Sequence, residues 1–383
     1  MKIYIEGTPV FTPKRWGVGQ YTKRLIEAMA KLEPKNEYTI FGFHFLAKRS
    51  KPYLPLEHPS IRYRFIRFLP GRGYSFLFKK GIRIPIDLLL GTKPEIVLYP
   101  NFVRWPLATK AKSVIVIHDI GSFLQFGQHA DPKNREYMRK YVPYSIERTD
   151  HIFAVSAFSK QEIANVYKVD PKRISVVSPA LDHDQFYVRS DKEVAHVRKK
   201  YELPQNFVLF VSTMEPRKNL VGLLDAFASL PAKLQDEFPL MMVGDKGWAD
   251  GEIKERLERY KGLPIRWLGY VPDEDIAAVF TAASLFVFPS FYEGFGMPPL
   301  EAMACGTPVV CSNTSALPES VGDAALTVDP NSVKSIAAGI KKVLTTPTLA
   351  AELRKKGLKQ ASKSTWENSA RIALAEFKKL VGE

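Results

Sequence analysis

The sequence predicts an α/β protein made of two doubly wound domains, each with a parallel sheet. Strand-like and helix-like segments alternate through both halves of the 383 residues, an order typical of parallel sheets covered by helices. This length suits two domains. Ligands of such sheets bind beyond the carboxyl ends of the strands, so we expect the functional site in a cleft between the domains.

Periodicity places the elements of the first half. Apolar residues recur at Tyr21, Leu25, Ala28 and Leu32, which predicts a helix over Gly19–Leu32. Short apolar or alternating runs predict seven strands. These strands are Lys2–Glu6, Tyr38–Phe45, Ile61–Phe68, Glu95–Tyr99, Ser113–His118, His151–Val155 and Arg173–Val177.

A charged, polar stretch over Asp182–Glu202 predicts a break, after which a second series of strands and helices begins. The strands of this series are Phe207–Ser212, Pro239–Val243, Ile265–Leu268, Leu285–Pro289 and Pro308–Cys311. Its predicted helices are Leu220–Leu230, Glu252–Tyr260, Glu274–Ala283, Leu300–Cys305, 332–345 and 347–361, with a last helix over about 366–380.

The formal charge of +15 lies entirely in the first half of the chain. Residues 1–182 contain 30 Lys and Arg against 15 Asp and Glu, whereas residues 183–383 contain 25 of each. Ten basic residues, interleaved with aromatic ones, lie within 48–83. This composition favours an anionic membrane surface over a nucleic acid as partner, although a solvated basic face above core aromatics would have the same composition.

The sequence also predicts a cellular location. No apolar run reaches the ~18–20 residues of a membrane span, and the first residues read as a strand rather than as a signal peptide. Cys305 and Cys311 have no metal-binding spacing, so we expect reduced thiols. We therefore expect a cytoplasmic protein that is peripheral at the inner face of the membrane.

Two carboxylates, Glu293 and Glu301, stand eight residues apart around two glycines. Pro298 and Pro299 suit the first turn of a helix. We expect Glu293 on a loop and Glu301 in the first helical turn, with free N–H groups at the helix start for a phosphate. A carboxylate on each side of an anion site indicates a sugar nucleotide, but a surface turn before a core helix would use the same residues.

Basic residues follow two other strands of the second half. Arg217 and Lys218 precede a helix that Asn219 is placed to cap. Together they suit a diphosphate without a metal, because arginine offers a planar fork and lysine a point charge. An exposed basic turn is the alternative interpretation. Lys246 follows the next strand and is a weaker phosphate ligand.

Two features of the first half complete the predicted site. Gly17 and Gly19 permit close approach of a phosphate to the backbone, but they lack the third glycine and the later acidic residue of a dinucleotide fingerprint. His118 and Asp119 follow a strand directly, where a histidine can bond a hydroxyl or stabilise charge. A lone histidine is more often structural. Metal-ligand spacings are lacking, so we expect neither metal nor cofactor.

Together these segments resemble the retaining glycosyltransferases of family 4, which have the GT-B fold with two Rossmann-like domains facing across a cleft. The resemblance runs over nearly the whole chain, and the Glu293–Val309 segment is its most specific part. The other matching segments are Gly17-x-Gly19, His118-Asp119, Val155-Ser156-x-x-Ser159, Glu215-Pro216-Arg217-Lys218-Asn219 and Gly244-x-Lys246-Gly247-Trp248.

The resemblance implies a role for each position. Glu293 would contact the transferred hexose, Glu301 would bind the ribose hydroxyls, and His118 would lie near the reaction centre. The donor-binding residues would be Gly17, Gly19, Arg217, Lys218, Lys246, Phe295, Gly296, Met297, Leu300 and Glu301, and the catalytic ones His118, Asp119 and Glu293.

The resemblance also implies the boundaries of the domains and the role of each. Residues 1–185 would form the acceptor-side domain and residues 200–362 the donor-binding domain. Residues 363–383 would form a helix that crosses back to the first domain. Two positions depart from the family pattern: Ser212-Thr213 replaces an expected arginine, and Ala180 replaces an expected glycine.

The activity implied is metal-independent, retaining transfer of a hexose from a nucleotide sugar to a hydroxyl of a polyprenyl-linked or oligosaccharide acceptor, in surface polysaccharide or glycolipid synthesis. The residues around Arg217 and Glu293 resemble those of the mannosyltransferase branch of the family. This resemblance favours GDP-mannose as the donor. One alternative is a UDP-hexose transferase of the same fold. Others are a non-catalytic protein that binds anionic membranes or nucleic acid, and a sugar-nucleotide epimerase. The transferase hypothesis expects no nucleic-acid partner.

Overall fold

The computed structural model describes residues 1–11, 17–45, 55–56, 58–121, 132–245, 247 and 251–383. The chain divides into two compact units. The first unit comprises Met1–Ala180 together with Trp366–Glu383, and the second unit is Leu181–Thr365. Lys246, which the sequence predicts as a phosphate ligand, lies outside the described residues, as does part of the basic region.

The first unit is built on a seven-stranded parallel sheet. The strands are β1 (Lys2–Glu6), β2 (Glu37–Phe43), β3 (Ile61–Ile66), β4 (Ile96–Tyr99), β5 (Lys112–Ile117), β6 (His151–Ala154) and β7 (Ile174–Val176). Their order in the sheet is β3-β2-β1-β4-β5-β6-β7. All of β4 is buried, as expected where helices cover both faces of a sheet. Because the strands are parallel, their carboxyl ends share one edge.

Helices cover this sheet on both faces. They are Thr8–Phe11, Gly17–Leu32, Gly71–Lys79, Ile86–Leu90, Pro132–Arg148, Ala157–Tyr167 and Trp366–Val381. The last of these packs against Gly17–Leu32, and its Phe377 stacks on Phe153 of β6 with ring centroids 5.6 Å apart. The terminal helix therefore completes the core of the first unit.

The second unit repeats the architecture with six parallel strands. These are β8 (Val208–Val211), β9 (Leu240–Val243), β10 (Ile265–Gly269), β11 (Leu285–Phe288), β12 (Val309–Ser312) and β13 (Leu326–Val328). Their order is β10-β9-β8-β11-β12-β13. The strand order reverses direction between β8 and β11, which is the switch point where such sheets bind ligands.

Nine helices of the described residues surround this second sheet. They are Asp191–Lys200, Leu220–Ala228, Ala232–Glu237, Gly251–Arg259, Asp273–Ala282, Met297–Ala304, Leu317–Val321, Val333–Leu344 and Pro347–Ser362. Cys305 and Cys311 are both free and buried. In the part of the chain that the structure describes, no helix is both long and apolar enough to cross a bilayer.

The prediction of two doubly wound α/β domains is confirmed, but the prediction of a break over Asp182–Glu202 is wrong in its centre. Asp191–Lys200 is a helix, opened by a capping box in which Ser190 and Glu193 bond each other's backbone N–H. This helix is mostly polar and buries Val197, so its composition resembles a linker although its caps are those of a helix.

Candidate donor and catalytic site

Glu293 lies at the centre of a cluster of charged side chains in the second unit. Its Oε1 accepts hydrogen bonds from Lys218 Nζ and from Ser290 Oγ, both at 2.7 Å. Its Oε2 lies 2.8 Å from Nη1 of Arg217. Both carboxylate oxygens are therefore engaged by groups that favour the ionised form.

The local sequence explains why these side chains meet. Arg217 and Lys218 lie in a 3₁₀ turn, Pro216–Lys218, just after β8. Asn219 ends the turn with a left-handed φ of 56° and caps the next helix by accepting the N–H of Gly222. β8 pairs with β11 in the sheet, so the residues that follow the two strands lie side by side at one edge.

Backbone contacts join the two loops. The N–H of Phe291 donates to the carbonyl of Arg217 at 2.9 Å, and Arg217 Nη1 donates to the carbonyl of Tyr292 at 2.6 Å. The N–H of Glu293 itself donates to Ser315 Oγ at 3.0 Å. The carboxylate is thus held by its backbone as well as by its cations.

The cluster is buried and nearly balanced in charge. Lys218 and Glu293 are each 8% exposed. Burial raises the pKa of Glu293, but the charges of Arg217 and Lys218 outweigh it and hold that pKa at about 2. Burial lowers the pKa of Lys218, and the charge of Glu293 opposes this. Because two cations flank the carboxylate, Glu293 is ionised at neutral pH. Glu215 Oε2, 3.3 Å from Arg217 Nη2, supplies a second negative charge.

This arrangement suits a sugar joined to a phosphate. In a nucleotide sugar the transferred hexose is bonded directly to the distal phosphate, so groups that recognise the two must be neighbours. Arg217 and Lys218 are predicted to bind the diphosphate and Glu293 the hexose, and the structure brings these three side chains into direct contact. Their assignment to parts of the donor stays a prediction.

Sequence reasoning missed two serines of this cluster. Ser290 is fully buried, and its hydroxyl lies between Glu293 and the backbone of the Arg217 turn. Ser315, which receives the Glu293 N–H, has a φ of 56°. The position of Ser290, directly between the β11 strand and Glu293, is a signal that could have found it. Nothing local in the sequence marks Ser315, because only the fold brings it to this loop.

The prediction that Glu301 lies in the first helical turn is wrong. The helix begins at Met297, and Glu301 is its fifth residue, so it lies in the second turn. Gly296 precedes the helix with φ 109°, and a Cβ there would lie 2.6 Å from Leu317 Cδ2. The helix can begin so early because Met297 is followed by two prolines, whose missing N–H groups cost nothing in a first turn.

Glu301 and the neighbouring residues predicted to bind the donor differ in how deeply their side chains are buried. Burial and the charge of Asp273 raise the pKa of Glu301 to about 7. Phe295 and Met297 are half-buried and pack against the core of the second unit. Leu300 is 2% exposed, so its side chain belongs to the core and only its backbone can contact a donor.

His118 lies in the first unit, directly after β5. Its Nε2 lies 2.9 Å from the carbonyl oxygen of Pro100, which accepts only, so Nε2 carries the proton. Its ring makes edge contacts with Tyr21 and Phe102, at centroid distances of 5.1 and 5.7 Å. Burial lowers the pKa of His118. The neutral ring therefore keeps Nδ1 as a hydrogen-bond acceptor.

The predicted glycine pair lies near this histidine. Gly17 opens the helix Gly17–Leu32 and is exposed, whereas Gly19 is buried. Tyr21, in the next turn of the same helix, contacts the His118 ring. Asp119 is half-buried beside His118. The helix start and the histidine thus share one region of the first unit. Tyr21 was expected only as an apolar helix position.

Metal-ligating side chains do not cluster in threes anywhere in the described ranges. In the second unit, the charged groups of the cluster are Arg217, Lys218, Glu215 and Glu293.

Comparisons with known proteins identify the family. A model described as Glycosyltransferase Family 4 matches residues 16–185, and one described as Glycosyl transferases group 1 matches residues 191–360. The chain is 36% identical to the O-antigen chain mannosyltransferase B of Escherichia coli, over 99% of this chain and 100% of that protein. The chain is a glycosyltransferase of family 4.

Two further comparisons define how far the likeness extends. The glycosyltransferase is 34% identical to the serotype-specific mannosyltransferase WbdA of Escherichia coli over 70% of its own length, but it spans only 34% of WbdA. It superposes on the sucrose-phosphate synthase of Thermosynechococcus elongatus with a TM-score of 0.74 at 20% identity, over 100% and 99% of the two chains. The glycosyltransferase therefore has the GT-B fold, and it is an enzyme that transfers a hexose.

Proposed function

We propose that this glycosyltransferase moves mannose, with retention of anomeric configuration and without a metal, from GDP-mannose to a sugar hydroxyl of a lipid-linked or oligosaccharide acceptor in surface polysaccharide synthesis. The observation that carries the proposal is the buried cluster of Arg217, Lys218 and Glu293 at the switch point of the second sheet. The Escherichia coli relative named an O-antigen chain mannosyltransferase supports mannose as the sugar.

The cluster explains how a donor could react without a metal. Two cations at one strand end stabilise the negative charge that builds on a departing diphosphate, which is the task that a divalent ion performs in other transferases. Glu293 holds both cations in place, and we propose that it also accepts a hydrogen bond from a hexose hydroxyl. No side chain needs to attack the sugar if the acceptor hydroxyl approaches on the face from which the diphosphate leaves.

Exposed apolar and basic side chains of the first unit support the proposal of a lipid-linked acceptor. Phe68 and Ile82 are large apolar side chains that are 66% and 51% exposed. Arg67, Lys80 and Arg83 lie in the same stretch of chain. Apolar groups that insert between lipids and cations that meet anionic headgroups form a peripheral membrane site.

The proposed donor is tested by binding and hydrolysis in the presence of EDTA. Purified protein is mixed with GDP-mannose, UDP-glucose or UDP-galactose, and both the unfolding temperature and the release of free hexose are measured. We expect the largest thermal shift and slow mannose release with GDP-mannose. A larger response to a UDP-hexose assigns that donor instead, and no response to any nucleotide sugar contradicts the proposal.

A matched pair of lysine variants tests the site. Lys218 lies 2.7 Å from Glu293, and Lys200 lies 2.7 Å from Asp275 in the same unit, at a half-exposed position away from the cluster. We expect Lys218→Ala to reduce turnover by about 100-fold or more, as for the loss of one group that stabilises transition-state charge. Lys200→Ala should keep wild-type turnover. Equal turnover in the two variants would refute the assignment.

A further inference from the structure

The first unit contains a cavity of about 610 Å³ that the donor site does not use. It opens at the carboxyl edge of the sheet. Thr8 follows β1, Phe43 ends β2, and His44 comes next, and all three line the cavity. The helix Gly71–Lys79 forms another wall. The cavity is therefore built by the parts of the first unit that ordinarily contact ligands.

Four of the ten described residues that line the cavity are Phe or Trp. Phe11, Phe43, Phe76 and Trp105 all face the cavity. Trp105 is held in place by Phe43 and Tyr74, with ring centroids 5.2 and 5.0 Å away. Fixed aromatic faces with a few polar groups are the usual lining of a small-molecule site, and flat rings suit the C–H faces of a pyranose.

Two cations are among the residues that line the cavity. Arg72 and Lys79, both exposed, lie one at each end of the same helix. Lys79 Nζ lies over the Tyr137 ring at 4.9 Å. Neither cation is in an ion pair with a carboxylate of the described residues, and no carboxylate occurs among the described residues that line the cavity. This differs from the donor site, where Glu293 and Glu215 neutralise the cations.

The cavity is separate from the region around His118 in the same unit. His118 follows β5, whereas Phe43 ends β2, and the order β2-β1-β4-β5 puts three strand spacings between them. At about 4.8 Å a spacing, the two strand ends lie roughly 14 Å apart. A ligand in the cavity would thus be held away from the predicted reaction centre, as the remote end of an extended acceptor requires.

We propose that this cavity binds the phosphorylated end of the acceptor, with a sugar ring against the aromatic lining and its phosphate between Arg72 and Lys79. The occupant is the glycosyl phosphate of a lipid-linked acceptor. This inference rests on the proposed function, because it names the chemical class of the acceptor. It adds a specificity site for a charged group that lies away from the hydroxyl that reacts.

The test compares two acceptors that share the same oligosaccharide and the same lipid tail but differ in the linking group, a diphosphate or a neutral ether. Both are presented in neutral detergent micelles, and transfer is measured at a saturating concentration of the donor identified above. For the double variant Arg72→Ala/Lys79→Ala, we expect the KM of the diphosphate acceptor to rise about tenfold or more, as for loss of two charged contacts. The KM of the ether acceptor should not change.

The control removes the same number of charges from the same unit. Lys93 and Lys110 are exposed at the opposite edge of the sheet, and Lys93→Ala/Lys110→Ala should behave like the wild type with both acceptors. In addition, a soluble sugar 1-phosphate should compete with the diphosphate acceptor in the wild type and compete more weakly in the Arg72→Ala/Lys79→Ala variant.

Three results would overturn the proposal. One is an unchanged KM for the diphosphate acceptor, and another is an equal rise for both acceptors. The third is a defect seen only in anionic vesicles and not in neutral micelles, which would assign the two cations to the membrane surface. Release of hexose from the donor without acceptor is measured in parallel. Absence of this hexose release in the wild type would count against the proposed transferase function. If the release persists in the double variant, the defect of that variant concerns the acceptor site alone.

Discussion

Lys218 and Glu293 form a buried ion pair, with Nζ of the lysine 2.7 Å from Oε1 of the glutamate. They lie 75 positions apart in the chain and meet because β8 and β11 are neighbours in the sheet. Both side chains are 8% exposed. Loss of either partner would leave the other charge buried and unpaired, and the pair lies where the donor is predicted to bind.

Glu293→Gln is expected to lower both stability and activity. The variant leaves Arg217 and Lys218 without their shared carboxylate, and removing one partner from a buried pair costs about 3–5 kcal/mol. Since the pKa of Glu293 is held at about 2, the contribution of the carboxylate is present above pH 4.5 and is lost as the pH falls toward 2. Urea unfolding at pH 7 and pH 3 should show a large difference from the wild type at pH 7 and a smaller one at pH 3.

The control for this experiment is Glu255→Gln. The Glu255 side chain is 72% exposed and lies 3.6 Å from Arg256, so its free energy of unfolding should change by less than about 0.5 kcal/mol. A difference between Glu293→Gln and the wild type that stays constant with pH would contradict the role assigned to the ionised carboxylate.

Donor affinity is expected to rise between pH 6 and pH 8 because of Glu301. The pKa of this carboxyl is raised to about 7 by burial and by Asp273. The ionised form is acceptor-only and is the better partner for two ribose hydroxyls. If only the ionised form binds, the dissociation constant for the donor should fall about tenfold over this range. Calorimetry on the wild type and on Glu301→Gln measures this dissociation constant at pH 6 and pH 8. The variant should bind the donor weakly at both pH values. A pH dependence that survives in Glu301→Gln would assign it to another group.

Two isosteric variants of His118 distinguish its nitrogens. Asparagine places an amide oxygen near the position of Nδ1, whereas glutamine places an amide nitrogen near Nε2, which donates to the Pro100 carbonyl. If Nδ1 accepts a hydrogen bond from the substrate, His118→Asn should keep about tenfold more turnover than His118→Gln. The measurement is kcat at saturating donor and acceptor. The reverse order would mean that the bond to Pro100 is what the enzyme needs.

The same histidine sets an acid limit on activity. Burial lowers the pKa of His118, so the ring gains its second proton only below its ordinary value of about 6.5. Protonation of His118 should therefore leave wild-type kcat unchanged from pH 8 down to about pH 6.5 and lower it at more acidic pH. An acid limb of kcat that persists unchanged in both variants would assign the titration to a different group.

Glu6→Gln is expected to stabilise the protein, and more so at higher pH. Glu6 ends β1 and is 6% exposed, and its carboxyl accepts the N–H of Thr8 and the Thr8 hydroxyl. Burial raises the pKa of Glu6 from 4.5 to about 7. The wild type loses stability as the pH rises from 4.5 to 7, because ionising the buried carboxyl opposes folding. Relative to the wild type, the free energy of unfolding of the variant should be unchanged at pH 4 and higher by up to ~3 kcal/mol above pH 7.

Chemical unfolding of the full chain at three pH values measures the free energy of unfolding of Glu6→Gln and of the wild type. Glu37→Gln serves as the control, since Glu37 is an exposed carboxylate on the neighbouring strand β2. A Glu6→Gln variant that is destabilised at pH 8 would show that the ionised carboxylate is needed where it lies.

Element types were predictable from local pattern, and their ends were less so. Hydrophobic runs located β8 and β11 to within a residue or two, because strands buried on both faces of a parallel sheet are almost continuously apolar. The helix Pro132–Arg148 was not predicted, since it contains Pro143 and has weak periodicity. The strand Leu326–Val328 was missed because three residues carry too little pattern.

The sequence by itself determined the two parallel sheets, the residue types that suit a nucleotide sugar, and the loop position of Glu293. These follow from local spacing, from the conformational limits of glycine and proline, and from the chemistry of each side chain. Only the tertiary structure decided that Lys218 and Arg217 bond both oxygens of Glu293, that Ser290 and Ser315 hold that residue, and that Glu301 lies a turn deeper in its helix. The physical reason is that strand order in the sheet sets which loops are neighbours. Burial then sets the pKa of each carboxylate, and neither quantity is local to the chain.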